Sequence, residues 1–212
     1  MTLNQHFPTT MGPSAIWAHL TPVLKMMHVL CPSVDTVNFQ SDGPTTQYRN
    51  KKNFFMMAYF SSKSGWLRSS WNFTEAGHGK GQPDGIGGVV KQTADQAVAH
   101  SADISSLKDL TSILADQNLK VQVFEIDVEE VEQMDQYLPM NLKAPKNTMK
   151  LHQVIWKCSA AHSLELRELT CIKCGYDSCY HFAMKPAVWI VPSFIDVHES
   201  TISCRTGSVI IL

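Results

Sequence analysis

The stretch Thr36-Val-Asn-Phe-Gln-Ser-Asp-Gly43 decides the predicted fold of this chain. Its apolar residues Val37 and Phe39 alternate with polar ones, which is the two-residue period of a β-strand. The strand signal ends in Ser41-Asp-Gly-Pro44, a typical turn sequence. We therefore expect the Asp42 carboxylate at the carboxyl end of a strand, where α/β folds place ligands and metal ions.

Helical and strand-like segments alternate on both sides of this stretch. Apolar residues at helical spacing predict helices over residues 12–30 and 50–61. Residues 66–73 alternate like a strand, and a third helix is predicted from residue 86 or 87 to residue 99. The glycine-rich run 77–88 between them is predicted to be a loop. This order of elements predicts an α/β fold.

The second half of the chain has a different composition and a different predicted class. Its predicted elements are helices over residues 105–117 and 128–137 and strands over residues 119–126, 151–157 and 164–170. Asp127 is the expected N-cap of the acidic helix, and residues 141–150 are predicted to be a polar linker. We therefore predict an α/β unit over residues 1–100 and a small α+β module over residues 101–212.

Charge and hydrophobic content limit the classes of function. The chain has 212 residues, 44% of them hydrophobic, which is enough for a packed core. Its formal net charge of −1 gives no indication of nucleic-acid binding. Residues 101–140 hold nine acidic and two basic residues, whereas both flanking segments are mildly basic. No apolar run approaches about 18 residues, so we predict no membrane span and no membrane partner.

A second acidic residue stands in the glycine-rich segment, just before the third predicted helix. Asp84 lies in Gly77-His-Gly-Lys-Gly-Gln-Pro-Asp-Gly-Ile-Gly-Gly88, and two carboxylates so placed are suited to share a divalent cation. Two alternatives stay open: Asp42 is also an ordinary turn residue, and Glu75 is a rival for the role of Asp84. The glycines lack the Gly-x-x-x-x-Gly-Lys pattern of a nucleotide-binding loop.

The two acidic segments together resemble a known group of proteins. Residues 41–54 and 71–91 are similar to uncharacterised transposon-derived animal proteins with a ribonuclease H-like core, of the transposase and integrase type, and the resemblance extends over residues 36–95. In that family three carboxylates hold the catalytic metal ions. Asp42 matches the second of them and Asp84 the third.

The resemblance implies a chemistry and a location. Two Mg²⁺ or Mn²⁺ ions, about 4 Å apart, would support phosphodiester transfer on DNA. His78 and Lys80 would lie near the scissile phosphate, and Arg49, Lys51 and Lys52 would contact the DNA backbone without reading its sequence. The same ancestry implies a nuclear protein.

The chain departs from the family pattern at its beginning. The family's first carboxylate lies on a strand upstream of the first predicted helix, but only eleven residues precede Gly12 and none is acidic. We therefore expect a partial ribonuclease H-like core, truncated at its N-terminus and inactive as a nuclease. The strand that ends at Asp42 would then have an unpaired edge, which favours self-association.

A cysteine cluster in the second half is the other group with ligand chemistry. Its members are Cys171, Cys174, Cys179 and His181. The Cys-x-x-Cys-Gly turn is typical of a zinc knuckle, and tetrahedral Zn²⁺ needs four such ligands. Cys158 or His162 could replace one of the later ligands. Inert reduced thiols and redox chemistry remain the alternatives.

The sequence thus predicts a transposase- or integrase-derived protein whose ancestral activity was metal-dependent DNA strand transfer. The alternative is a non-enzymatic protein that binds nucleic acid or another protein. A third interpretation is a decaying gene whose product has no specific role.

Overall fold

The computed structural model describes residues 12–74, 82–116, 121–171, 187–192 and 208–211. The helices are α1 (Pro13–Leu30), α2 (Lys51–Lys63), α3 (Gln82–Ala99), α4 (Leu107–Asp116) and α5 (Val128–Asp135). The strands are β1 (Thr36–Ser41), β2 (Arg68–Phe73), β3 (Gln153–Lys157), β4 (Ser163–Arg167), β5 (Ala187–Ile190) and β6 (Ser208–Ile211). The predicted α/β class is confirmed. Within the described ranges, no helix is long and apolar enough to cross a membrane.

One mixed sheet joins the two halves of the chain. Its strand order is β5-β4-β3-β2-β1-β6. Strands β6, β1 and β2 run parallel, and β3, β4 and β5 follow with antiparallel pairing at each step. Because β2 pairs directly with β3, strands from both sides of residue 100 share one sheet. The predicted division at that residue therefore does not correspond to a division of the sheet.

The expected unpaired edge of β1 is corrected by the structure. Strand β6 pairs with β1 in parallel, from Thr36 opposite Ser208 to Phe39 opposite Ile211. Strand β1 therefore has a parallel neighbour on each side, and its first four residues are all buried. The basis for predicting self-association through this edge is removed, because its hydrogen-bonding groups already have a strand partner.

Two predicted segments differ from the observed ones. Helix α3 begins at Gln82, so the predicted loop through Gly88 is wrong at its C-terminal end. Each glycine in a helix costs only about 1 kcal/mol relative to alanine, and Pro83 suits a first helical turn. Residues 121–126 form no strand, although their side chains alternate. Glu125 instead accepts a hydrogen bond from the Thr111 hydroxyl of α4.

An aromatic core fixes α1 and α2 on one face of the sheet. The Trp17 indole is fully buried and stacks on Phe60 with ring centroids 5.0 Å apart. Its edge meets Phe39 of β1 at 5.6 Å, and Phe39 stacks on Trp71 of β2 at 4.8 Å. These rings link α1, α2 and the two parallel strands, so the position of the carboxyl end of β1 depends on them.

A buried hydrogen bond between Trp17 and Asn53 joins the same two helices. The Trp17 Nε1–H donates to Asn53 Oδ1 at 2.8 Å, and Asn53 Nδ2 donates to the Tyr48 carbonyl at 2.8 Å. Asn53 is fully buried, and its bond with Trp17 is shielded from water. The Asn53 amide therefore pairs with a polar group of α1 and with a carbonyl of the segment before α2.

We predict that Asn53→Ala lowers the free energy of unfolding by about 2–3 kcal/mol, because it leaves the buried Trp17 N–H without an acceptor. Urea denaturation followed by tryptophan fluorescence measures this change. Asn141→Ala, at an exposed position, is the control and should stay within about 0.5 kcal/mol. Equal effects of the two substitutions would contradict the assigned role of Asn53.

Candidate site at the carboxyl end of β1 and β2

Asp42 lies where the sequence places it, directly after the last residue of β1, and it is exposed. The preceding Ser41 is held from three sides. Its hydroxyl donates to the Asp42 carbonyl at 2.7 Å and accepts from Trp71 Nε1 at 2.9 Å. Its carbonyl accepts from the Thr74 amide at 2.9 Å. The backbone that carries Asp42 is therefore fixed to the end of β2.

Arg49 is buried beside this point. It is 9% exposed, its Nη1 donates to the Met149 carbonyl at 2.9 Å, and its guanidinium carbon lies 5.0 Å from the Phe73 ring centroid. The guanidinium thus contacts other groups of the protein, and the predicted phosphate contact of Arg49 stays a prediction. Burial lowers the pKa of Arg49, but a guanidinium stays charged at neutral pH.

Gly43 is the residue that leaves room for the Arg49 guanidinium. A Cβ atom at position 43 would collide with the Arg49 side chain. The glycine is therefore required by close approach and not by turn geometry, and it links the end of β1 to Arg49.

The N-terminus of α2 adds two lysines. The Asn50 side chain caps the helix by accepting from the amides of Lys52 and Asn53, each at 3.0 Å. Lys51 Nζ donates to the Leu142 carbonyl at 2.6 Å, whereas Lys52 is exposed. Of the three predicted phosphate contacts in this segment, Lys52 is the one whose side chain faces solvent.

Residues 139–150, which we call the strap, lie against this segment. Residues 141–150 of the strap were predicted to be a polar linker, but Leu142 and Pro145 are buried. Lys51 and Arg49 hold the carbonyls of Leu142 and Met149 near its two ends. The strap is thus held against the start of α2 and the residue before its N-cap. The signal in the sequence was the pair of apolar residues within a lysine-rich stretch.

Asp84 lies in the first turn of α3 and is exposed. Helix α3 packs against α4, and none of its side chains between Asp84 and Ala99 is buried. In the described part of the chain, no three His, Cys, Asp or Glu side chains gather as metal ligands. The described residues therefore do not fit a complete three-carboxylate site, and we derive no step through a metal ion. Glu75, His78 and Lys80 lie outside the described residues.

Cys171 is the member of the cysteine cluster that the structure describes. It is buried, and the Gln153 side chain binds its backbone twice. Gln153 Nε2 donates to the Cys171 carbonyl at 3.1 Å, and the Cys171 amide donates to Gln153 Oε1 at 3.4 Å. Cys174, Cys179 and His181 lie outside the described residues, so the zinc knuckle stays a prediction.

A buried polar row crosses the face of the sheet that is opposite to the aromatic core, and the sequence did not predict it. It runs through Asn38, Ser70, Asn72, Gln153 and Arg167, one or two residues from each of four neighbouring strands. Ser70 donates to Asn38 at 2.6 Å, and Gln153 donates to Asn72 at 2.8 Å. In the sequence, the alternation in β1 and β2 indicated only a strand, and it assigned no environment to their polar residues. Their mutual hydrogen bonds allow them to be buried.

We predict that Gly43→Ala lowers the free energy of unfolding by about 1–3 kcal/mol, because the new methyl group displaces the buried Arg49 guanidinium. Gly85→Ala is the matched control. Its Cβ meets nothing within 4 Å, and it lies inside α3, so it should be neutral or stabilising by up to about 1 kcal/mol. The same sign of change in both variants, measured by urea denaturation, would refute the packing of Arg49 on Gly43.

The Tyr48 phenol predicts a response to alkaline pH. Burial raises its pKa above the ordinary value of 10.0, and the nearby Asp42 carboxylate raises it further. The unfolded chain loses this proton at a lower pH than the folded chain does. The contribution of Tyr48 to the free energy of unfolding is therefore fully present below about pH 10 and falls as the pH rises toward the folded-state pKa. Tyr48→Phe should flatten this fall in unfolding free energy between about pH 9 and 11. An unchanged slope would show that Tyr48 does not contribute.

The comparisons with known proteins show one relationship. No curated protein and no solved structure matches the chain. The model of a family described as a domain of unknown function (DUF8701) matches residues 12–170, from the residue before α1 to just beyond β4. The matched region thus includes the aromatic core, the carboxyl end of β1 and β2, and the strap. The chain belongs to this DUF8701 family.

Proposed function

We propose that this protein binds nucleic acid without cutting it, through the positively charged surface at the carboxyl end of β1 and β2. The observation that carries the proposal is the start of α2. Its first turn contains Lys51 and Lys52 and no acidic residue. The carboxyl ends of parallel strands are where α/β proteins bind their ligands. The exposed Lys52 at this place offers a cation to a phosphate group.

The proposal also includes the evolutionary origin of the protein. A descent from a ribonuclease H-like transposase or integrase is supported by the resemblance over residues 36–95. Two placements agree with it. Asp42 directly follows β1, and Asp84 lies in the first turn of the helix that follows the parallel strand β2. DNA strand transfer would be the ancestral activity, and a nuclear location would follow from the same descent.

The electrostatics of the described surface restrict where a nucleic acid would lie. The exposed residues of α5 include Glu129, Glu130 and Glu132, and no basic residue lies in its last turn. Phosphate groups are repelled from that helix. The basic start of α2 is therefore the favoured contact, and the acidic α5 is the observation that favours a protein-binding role as the second candidate.

The test is fluorescence anisotropy with labelled single-stranded and duplex DNA of about 20 nucleotides, between about 50 and 200 mM salt. We expect log K to fall linearly with log salt. Lys52→Gln should lower the slope for duplex by about 0.9, because one phosphate contact is lost. Lys25→Gln on α1 is the control and should leave the slope unchanged.

Two outcomes would contradict this function. Absence of binding at low salt, or binding without salt dependence, would exclude a phosphate-contacting surface. Cleavage of DNA that needs Mg²⁺ and is lost in Asp42→Asn would instead favour an active nuclease. We expect no cleavage by either form, and we expect Asp42→Asn to bind no more weakly than the unmodified chain because it removes a negative charge.

A further inference from the structure

We infer that the strap supplies the second half of the nucleic-acid surface, with Lys143, Lys146 and Lys150 as its phosphate contacts. This inference rests on the proposed function and deepens it. All three lysines are exposed. They lie about 90 residues from the start of α2 in sequence, so the basic surface forms only when the chain folds.

Two hydrogen bonds, from Lys51 and from Arg49, fix the position of the strap. Lys51 Nζ lies 2.6 Å from the Leu142 carbonyl, next to Lys143, and Arg49 Nη1 lies 2.9 Å from the Met149 carbonyl, next to Lys150. The strap is therefore held against the start of α2 near both of its ends. Arg49 and Lys51 act here as positioning residues, because their charged groups bind carbonyl oxygens of the strap.

The strap is also ordered within itself. The Thr148 hydroxyl donates to the Pro145 carbonyl at 2.9 Å, and Asn147 adopts a left-handed conformation with φ 57°. A 3₁₀ turn, Thr148–Lys150, follows. Because Leu142 and Pro145 are buried, the lysines extend from an anchored loop. Binding then costs less conformational entropy than it would from a flexible linker.

The charge of the assembled surface favours a polyanion. Lys52 and the three strap lysines are exposed, and neither residues 43–53 nor the strap contains an acidic residue. Asp42 is the acidic residue that borders the first segment. Several exposed cations on two segments that are held together suit a ligand that repeats its negative charge along a chain. The phosphate backbone of a nucleic acid is such a ligand.

The experiment compares two triple variants that change the net charge equally. In the first, Lys143, Lys146 and Lys150 are all replaced by Gln. In the control, Lys25, Lys91 and Lys108, which are exposed on α1, α3 and α4, are replaced by Gln. Anisotropy with duplex DNA should show a salt slope lowered by about 2–3 for the strap variant. Affinity near 0.1 M salt should fall on the order of 100-fold. The control should keep the slope of the unmodified chain.

A substitution of Lys51 separates positioning from direct contact. Lys51→Met removes the hydrogen bond to the Leu142 carbonyl. It should therefore lower the salt slope of DNA binding by more than the value of about 0.9 that is expected for one lost phosphate contact. In the strap variant the same substitution should have almost no further effect, because the lysines that it positions are already gone. Additive effects of the two changes would overturn the positioning role.

Each outcome decides the inference. An unchanged slope in a strap variant with native circular dichroism would overturn it, while DNA binding by the unmodified chain would still support the proposed function. Absence of DNA binding by the unmodified chain would overturn both. Displacement of DNA by poly-glutamate of equal charge at equal concentration would overturn the assignment to nucleic acid and favour an acidic protein as the partner.

Discussion

The buried indole N–H of Trp17 imposes the constraint on which the rest of this structure depends. Such a group must find an acceptor when it leaves water, and Asn53 Oδ1 provides it at 2.8 Å. Because Asn53 belongs to α2, the bond fixes α1 against α2 in one orientation. The stacked rings of Phe39 and Trp71 then align β1 and β2 beneath both helices. The hydrophobic effect supplies most of the stabilisation, and this hydrogen bond selects the arrangement.

The position of the carboxyl end of β1 follows from that arrangement. Residue 53 lies one turn into α2, so fixing it also fixes the basic first turn and the Arg49 that precedes it. Arg49 packs on Gly43 and reaches across to the strap. A segment that is about 100 residues away in sequence is thereby attached to the start of α2. A charged surface assembled in this way is pre-organised, because its cations do not have to be ordered when a ligand binds.

Local patterns identified most of the elements in the first half of the chain. Helix α1, strand β1, helix α2 and strand β2 follow from hydrophobic period, from turn residues and from caps, all of which act within a few residues. Helix α5 was recognised for the same reason, since Asp127 and Glu130 form a local capping box. Residues 121–126 show where this approach fails. They alternate like a strand, but a strand also needs a neighbouring strand, and pairing is not encoded within six residues.

The sequence by itself determined the α/β class, the strand that presents Asp42 and the helix that carries Lys51 and Lys52, because each depends on interactions between close neighbours in the chain. Only the tertiary structure decided the roles of these residues. It placed β6 beside β1 and turned Arg49 inward. It also brought the strap lysines to the start of α2. Such contacts join residues about 90 or more positions apart, and neither composition nor periodicity specifies which distant groups meet.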